Sequence, residues 1–286
     1  METILQLENL TKQYKTFTLD ALTLAVPCGS IVGLVGENGA GKTTTIKLIL
    51  NHIHRDGGKV EVFGLDNLIH EAKIKDRIGV VLGESNFHEH FTAKNINSIL
   101  KNIYSKWDSD GFFSYLARFD VPSDKKLKDM SKGMKVKLSI ATALSHAPEL
   151  LILDEATSGL DPVVRSEILD IFLEFIQDEH KSILFSSHIT GDLEKIADYI
   201  AFLHKGKLVF SKSKDDILYG YGIAKCGEAE FNSLDKSDIL AYRKGKFGYE
   251  ALLGDAKLAH AKYGGLCIDR PTIEEIMTLY VRGTRQ

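Results

Sequence analysis

The chain has 286 residues, of which 44% are apolar and 26% charged, as in a globular protein with room for one large domain and a small one. Its 36 basic and 39 acidic residues give a net charge of -3, which lacks the basic excess that nucleic-acid binding requires, so we expect no nucleic-acid partner. The apolar runs are shorter than the roughly 18 residues of a membrane span, and METILQLENL does not resemble a secretory signal, so we expect a cytosolic chain.

Strand patterns dominate the N-terminal part of the chain. The runs ILQLENL and TLDALTLAV are β-rich, and SIVGLVG is typical of a short buried strand that ends in glycine. A helical pattern follows in KTTTIKLILNHI, and KVEVFG and RIGVVLG predict two more strands. From about Phe91 to Ala147 the pattern is helical and contains an aromatic cluster that runs from Tyr104 to Phe119.

Strands and helices alternate in the next part of the chain. ELLILD, SILFSS, YIAFLH and KLVFS read as strands, with helical patterns between them. This alternation predicts a mainly parallel sheet covered on both faces, into which the helical segment is inserted. After Lys212 the elements become shorter, and the last helix is predicted from a capping box between Thr272 and Glu275 to a stop at Gly283.

One glycine-rich stretch, GENGAGKTT, has the spacing G-x-x-x-x-G-K-[ST] between a predicted strand and a predicted helix. In such a loop the backbone N–H groups turn toward phosphate oxygens, Lys42 neutralises the β and γ phosphates, and Thr43 offers its hydroxyl to magnesium. We therefore expect ATP to bind at residues Gly36, Asn38, Gly39, Gly41, Lys42, Thr43 and Thr44.

The strand LLILDE delivers two carboxylates at its C-terminal end, the edge at which open α/β sheets bind ligands. Asp154 is predicted to hold magnesium, and Glu155 to act as general base on the attacking water. A buried strand that ends in an acidic turn is common by itself. Its pairing with the phosphate loop favours the catalytic interpretation.

Four motifs in this order, GENGAGKTT, SKGMK, LLILDEATSGLDP and SSHI, resemble the nucleotide-binding subunit of ABC transporters, most closely the single-domain ATPases of bacterial ABC-2-type exporters. The element order and the resemblance predict an α/β fold: a P-loop NTPase core with a mainly parallel sheet, an N-terminal antiparallel β subdomain, an inserted helical subdomain at about 85–147, and a small C-terminal accessory domain. The ATPase domain is expected to span residues 1–211 and the accessory domain residues 212–286.

The stretch MSKGM contains Ser131, a good helix N-cap, yet lysines crowd the first turns, where acidic side chains are preferred. The resemblance implies that two subunits meet head to tail, so that Ser131 and the backbone of Gly133 contact the γ-phosphate of ATP held by the other copy. Asp161 would also act across this interface. The alternative is a plain N-capped surface helix with solvated lysines, and for Asp161 a turn aspartate.

The resemblance implies further roles at single positions. Tyr14 matches the aromatic residue that stacks on adenine, and His188 the histidine that contacts the γ-phosphate; a core tyrosine and a surface histidine are the alternatives. The family's glutamine ligand of magnesium is missing, because Gly83 occupies its position and Glu84 follows. Glu84 is a candidate substitute, and a simple loop carboxylate is an equal alternative.

The resemblance implies an ATPase that requires ATP and Mg²⁺, forms a homodimer, and powers a separate ABC-2-type permease at the inner face of the cell membrane. The aromatic cluster would mainly form the core of the helical subdomain, and it could also edge a cleft for a permease helix. Two alternatives remain open: a cytosolic ABC ATPase with a non-transport role, and a weakly hydrolysing regulatory module.

Overall fold

The computed structural model describes residues 2–83, 87–246 and 248–285. Up to the helical insertion, the elements are β1 (Thr3–Gln13), β2 (Thr18–Pro27), β3 (Ile31–Gly36), α1 (Lys42–Ile49), β4 (Gly57–Val62), β5 (Leu65–Asp66), α2 (Glu71–Lys75) and β6 (Ile78–Leu82). The insertion contains α3 (Ala93–Leu100), α4 (Ser109–Arg118) and α5 (Lys132–Leu144).

The chain then returns to the sheet and continues into the C-terminal region. The returning elements are β7 (Leu150–Asp154), α6 (Pro162–Phe175), β8 (Ser182–Ser187), α7 (Thr190–Ile196), β9 (Tyr199–His204) and β10 (Lys207–Ser213). The C-terminal elements are α8 (Lys214–Gly220), β11 (Gly222–Cys226), α9 (Glu228–Ser233), β12 (Ile239–Lys244), β13 (Tyr249–Leu253), α10 (Ala256–Lys262), β14 (Cys267–Asp269), α11 (Ile273–Arg282) and β15 (Thr284–Arg285).

The central sheet has the strand order β10-β9-β3-β8-β7-β6 and is parallel except for the antiparallel hairpin of β9 and β10. The N-terminal sheet, with the order β2-β1-β4-β5, is antiparallel. This architecture confirms the predicted α/β fold, including the antiparallel β subdomain and the inserted helices. Within the described residues, no helix is long and apolar enough to cross a bilayer.

Strand β3 shows why the central sheet lies in the middle of the molecule. Every one of its residues is buried. Ile31 and Val35 belong to the hydrophobic cluster on the side of the helical insertion, whereas Val32 and Leu34 belong to the cluster under the N-terminal sheet. A strand covered on both faces needs an uninterrupted apolar run, as this sequence provides. Because β3 and β7 both pair in parallel with β8, the carboxyl ends of these three strands lie side by side at one edge of the sheet.

The C-terminal region forms its own antiparallel sheet, with the order β14-β11-β13-β12-β15. Helix α11 begins with the predicted capping box of Thr272 and Glu275 and ends before Gly283. Three buried side chains of α11 extend the hydrophobic cluster of the ATPase region. Strand β10 continues to Ser213, and the domain boundary between residues 211 and 212 stays a prediction.

Aromatic side chains of the insertion lie in its core or against it. Phe112 and Phe119 are buried, and Tyr104, Trp107, Phe113 and Tyr115 pack against the same cluster. This burial favours the structural interpretation of the cluster, as expected for large apolar side chains.

Candidate active site

The loop between β3 and α1 is shaped by two glycines. Gly39 has φ +81° and Gly41 has φ +117°, in the left-handed region that a side chain disfavours. Gly41 is the N-cap of α1 and provides no side-chain cap, so the first N–H groups of this helix have no side-chain partner there. N–H groups at a helix start form a binding site for an anion such as phosphate.

Lys42 places a positive charge inside this loop. The side chain is only 6% exposed, and Nζ donates a hydrogen bond to the carbonyl oxygen of Gly36 at 2.8 Å. Nζ also lies 3.5 Å from Oε1 of Glu155, which follows β7. The lysine therefore links the phosphate loop after β3 to the carboxylate after β7, two strands away in the sheet, and its partners keep the ammonium inside the loop.

The second carboxylate, Asp154, is held by two hydroxyl groups. Oγ1 of Thr43 donates to Oδ2 of Asp154 at 2.8 Å, and Oγ of Ser186 donates to Oδ1. Asp154 is the last residue of β7, and Ser186 lies next to it on β8. Carboxylate and hydroxyl oxygens are hard ligands of the kind that Mg²⁺ prefers, so the side chains of Thr43 and Asp154 fit such an ion.

Glu155 is fixed between Lys42 and His188. Its backbone has φ +54°, and its N–H donates to the carbonyl oxygen of Ser186 at 3.0 Å. Oε2 is hydrogen-bonded to Nδ1 of His188, which comes directly after β8, while Oε1 faces the ammonium of Lys42. The carboxylate thus stands at the end of the sheet with a cation on one side and an imidazole on the other.

These side chains border an open cleft of about 620 Å³, a volume within the range of small-molecule sites. The predicted residues on its wall are Asn38, Gly39, Gly41, Lys42, Thr43, Thr44, Glu155 and His188. Four further wall residues were not singled out from the sequence, namely Thr16, Phe17, Glu37 and Ser158. Glu37 could have been predicted, since it lies within the glycine-rich motif.

The aromatic residue on the wall is Phe17. Tyr14 lies outside the wall, with its ring centre 6.3 Å from that of Phe17, and is 45% exposed. Both residues lie in the turn between β1 and β2. The sequence therefore indicated only that an aromatic residue of this turn would reach the nucleotide, and it did not indicate which one. The stacking role of Tyr14 stays a prediction.

The SKGMK segment lies at the start of α5, away from the cleft wall of its own chain. Ser131 is the N-cap, and its Oγ accepts a hydrogen bond from the N–H of Met134 at 3.2 Å. Gly133 faces Val164 of α6, because a methyl group built on this glycine would lie 3.6 Å from Val164. The lysines of this segment are Lys132, Lys135 and Lys137, and Lys137 pairs with Glu167 at 2.6 Å. The contact of Ser131 and Gly133 with another copy stays a prediction.

Asp161 is the N-cap of α6. Its Oδ1 accepts hydrogen bonds from the N–H groups of Val163 at 3.1 Å and Val164 at 3.0 Å, and Pro162 follows as the first helical residue. This capping explains the aspartate locally. It leaves the predicted role across an interface untested.

Gly83, which occupies the position of the family's glutamine, lies beside the end of β7. Gly83 has φ +40°, and its N–H donates to the carbonyl oxygen of Asp154 at 2.9 Å. Glu84 lies outside the described residues. Among those that are described, no three His, Cys, Asp or Glu side chains cluster as a metal site, so protein oxygens at Thr43 and Asp154 are the available ligands.

Comparisons with known proteins agree with this geometry. The family model described as "ABC transporter" matches residues 19–158. The bacitracin transport ATP-binding protein BcrA of Enterococcus faecalis is 36% identical over 73% of this chain and 69% of that protein. The lantibiotic transport ATP-binding protein SrtF of Streptococcus pyogenes is 31% identical over 74% of this chain and 92% of its own length. A solved ATP-binding subunit of an ABC transporter, 26% identical, superposes with a TM-score of 0.69 over 75% of this chain and 92% of that one.

Proposed function

Because the chain belongs to the family of ABC transporter ATP-binding proteins, we propose that it is the ATPase subunit of an exporter, in which two copies close around two ATP molecules and thereby drive a separate ABC-2-type permease. The permease would hold the ATPase at the inner face of the cell membrane. The shared edge of β3, β7 and β8, where Lys42, Glu155 and His188 meet, carries this proposal.

Each residue has a role that follows from its place. Lys42 stabilises negative charge on the transferred phosphoryl group, since phosphoryl transfer depends mainly on positioning and charge stabilisation. Glu155 accepts a proton from the attacking water, while His188, which is hydrogen-bonded to this carboxylate, orients it and contacts the γ-phosphate. Thr43 and Asp154 would hold Mg²⁺, which supplies charge neutralisation between the β and γ phosphates when bound.

Residues from the other copy complete the site in this proposal. Ser131 and the backbone of Gly133 approach the γ-phosphate at the positive end of α5, and Asp161 supports the opposite active site. Lys135, which forms no ion pair with a residue that the structure describes, would then lie near a polyanion, which explains a cation at this helix start. A weakly hydrolysing regulatory module is less well supported, because Lys42, Asp154 and Glu155 are all present and in contact with the expected neighbours.

The decisive experiment uses a Glu155→Gln variant. The amide cannot accept the proton of water, so we expect ATP binding to persist, turnover in the complex with the permease to stop, and an ATP-dependent dimer to accumulate. Phosphate release and light scattering report these quantities, and Glu179→Gln on the exposed surface is the matched control. Hydrolysis at the native rate would contradict the role of Glu155, and a strictly monomeric ATP-bound variant would contradict the dimer.

The cargo class is supported only by the relatives. One is a bacitracin transport protein and the other a lantibiotic transport protein, so we propose a peptide antibiotic as cargo. Cells that produce the chain with its permease should tolerate such a peptide better than cells that carry Glu155→Gln. Equal sensitivity of both strains to bacitracin and to a lantibiotic would exclude these two cargoes.

A further inference from the structure

A second cleft, of about 530 Å³, opens beside the nucleotide cleft. Glu37 and His188 belong to the walls of both clefts, so the two clefts adjoin at these residues. The opposite wall of the second cleft is the C-terminal helix α11, which supplies Glu274, Met277 and Val281. The C-terminal region therefore reaches the edge of the proposed ATP site.

The wall of this second cleft combines an apolar strip with a carboxylate at one end of α11 and a guanidinium at the other. Met277 and Val281 are partly buried on the hydrophobic cluster, and Ile189 faces them from the start of α7. Glu274 is exposed and forms no ion pair with any residue that the structure describes, and Arg282 lines the cleft at the far end of the helix. The Glu274 end of the cleft thus suits an apolar side chain that is accompanied by a positive charge.

The chain displays such a pair elsewhere on its surface. Val163, in the first turn of α6, is 68% exposed although it is apolar. Lys132 belongs to the neighbouring surface: its Nζ would be only 2.6 Å from a methyl group built on Gly159, and the next residue, Gly133, faces Val164. Lys132 is exposed and, within the described ranges, has no acidic partner. Val163 and Lys132 thus place an apolar side chain and a cation on the same exposed surface at the start of α6.

We propose that the second cleft receives the start of α6 from a second copy of this chain: Val163 of one copy packs on Met277 and Val281 of the other, and Lys132 faces Glu274. This proposal rests on the ATP-dependent dimer of the proposed function, in which the nucleotide cleft is covered by the other copy. The second cleft adjoins that cleft at Glu37 and His188 and would be covered by the same surface. The opposite charges of Lys132 and Glu274 favour this orientation of the two copies.

In this docking, the C-terminal region takes part in the contact between the two copies. Helix α11 is a wall of the receiving cleft, and the N–H of its first residue, Ile273, donates to Oε1 of Glu194 on α7 at 2.8 Å. Helix α7 begins at Thr190, two residues after His188. Closure of the dimer would therefore bring α11 into contact with the other copy, and the C-terminal region would stabilise the ATP-bound state.

The test uses full-length Glu155→Gln chains in which the exposed Cys267 is serine, with Val163→Cys and Met277→Cys added. With Mg-ATP, a short thiol cross-linker should join two copies, and the yield should fall when nucleotide is omitted. The control pair is Val163→Cys with Leu258→Cys, an exposed position on α10 outside the cleft, and it should not cross-link. A dimer that forms with Mg-ATP but gives no more cross-link than the control pair overturns the docking and leaves the proposed function intact.

A charge exchange tests the same contact without cysteines. Val163→Asp should reduce the fraction of ATP-bound dimer, and Met277→Lys in the same chain should restore it, because each interface then pairs a carboxylate with an ammonium. Light scattering measures both. If Val163→Asp leaves the dimer fraction unchanged, the docking is wrong. If the parent Glu155→Gln chain forms no dimer at all, the proposed function fails and the docking with it.

Discussion

At the scale of single residues, the site depends on one unusual backbone conformation. Glu155 adopts a positive φ of 54° without being glycine, which costs on the order of 1–3 kcal/mol. Its N–H bonds to Ser186, and its carbonyl oxygen accepts from the N–H of Ser158 at 3.0 Å. These bonds hold the residue in place, so that the carboxylate points between Lys42 and His188.

A second residue-scale property is the close packing of the phosphate loop at Gly36. A methyl group built there would lie 2.5 Å from the carbonyl oxygen of Leu203 and 2.9 Å from Cβ of Ala40. We expect Gly36→Ala to lower the free energy of unfolding by about 1–3 kcal/mol and to weaken ATP binding. Gly220→Ala, where nothing lies within 4 Å, is the control in denaturant titrations. Equal stability of both variants would contradict this packing.

At the scale of elements, the start of α5 has a structural and a proposed functional role that can be separated. Ser131→Ala removes the cap and should cost about 1 kcal/mol of stability. Ser131→Asp keeps a capping oxygen and should preserve stability. Its negative charge should nevertheless weaken ATP-dependent dimerisation, since it would oppose a phosphate. Thermal unfolding and light scattering measure the two effects, and normal dimerisation of Ser131→Asp would argue against the contact across the interface.

The turn after α5 is tied to β6 by a buried histidine. The ring of His146 stacks on Tyr104 with centres 4.0 Å apart, and Nε2 meets the carbonyl oxygen of Ile78 at 3.0 Å. Burial lowers the pKa of His146, an effect that the nearby carbonyl groups and Asp76 partly oppose. Nδ1 is buried and has no hydrogen-bond partner in the described part of the chain. The neutral ring is therefore the form that fits.

Because of the buried His146, we expect the free energy of unfolding to fall in acid. The pKa is lower in the folded state than in the unfolded state, so the unfolded chain binds the proton more tightly. The stabilisation is complete above the unfolded pKa of about 6.5 and is lost as the pH falls through the lower folded pKa. Denaturant titrations between neutral and mildly acidic pH should show a weaker pH dependence for His146→Gln than for the exposed control His180→Gln. An identical pH dependence of stability in the two variants would contradict this role of His146.

At the scale of the whole molecule, the C-terminal region shares the core of the ATPase region. Ile276 of α11 is fully buried in the cluster that also contains Phe112 of the helical insertion and Phe202 of β9. The ring of Tyr280 on α11 packs edge-on to that of Phe202, with centres 6.0 Å apart. Because the apolar surface is continuous, the two regions should stabilise each other.

Ile276→Ala tests this mutual stabilisation. We expect a loss of about 2–5 kcal/mol, and the fluorescence of Trp107, the chain's single tryptophan, should report it although it lies in the insertion. Leu258→Ala on exposed α10 should change the free energy of unfolding by less than about 0.5 kcal/mol. A Trp107 transition that Ile276→Ala does not move would mean that the C-terminal region unfolds independently.

Much of the site could be predicted because its residues lie at fixed distances from buried strands. The apolar runs before Gly36, Asp154 and His188 had to be central strands, and parallel strands bring their carboxyl ends to one edge. Phe17 was missed, since the conformation of the turn after β1 decides which aromatic side chain reaches the cleft.

The sequence by itself determined the order of the elements, the phosphate loop, the two carboxylates and the caps of α5 and α11, because these depend on local spacing and on hydrogen bonds between near neighbours. Only the tertiary structure decided that α11 forms a wall beside His188 and that Glu155 takes a left-handed conformation. Both depend on packing between segments that are distant in the chain, and no local pattern encodes which surfaces such segments will share.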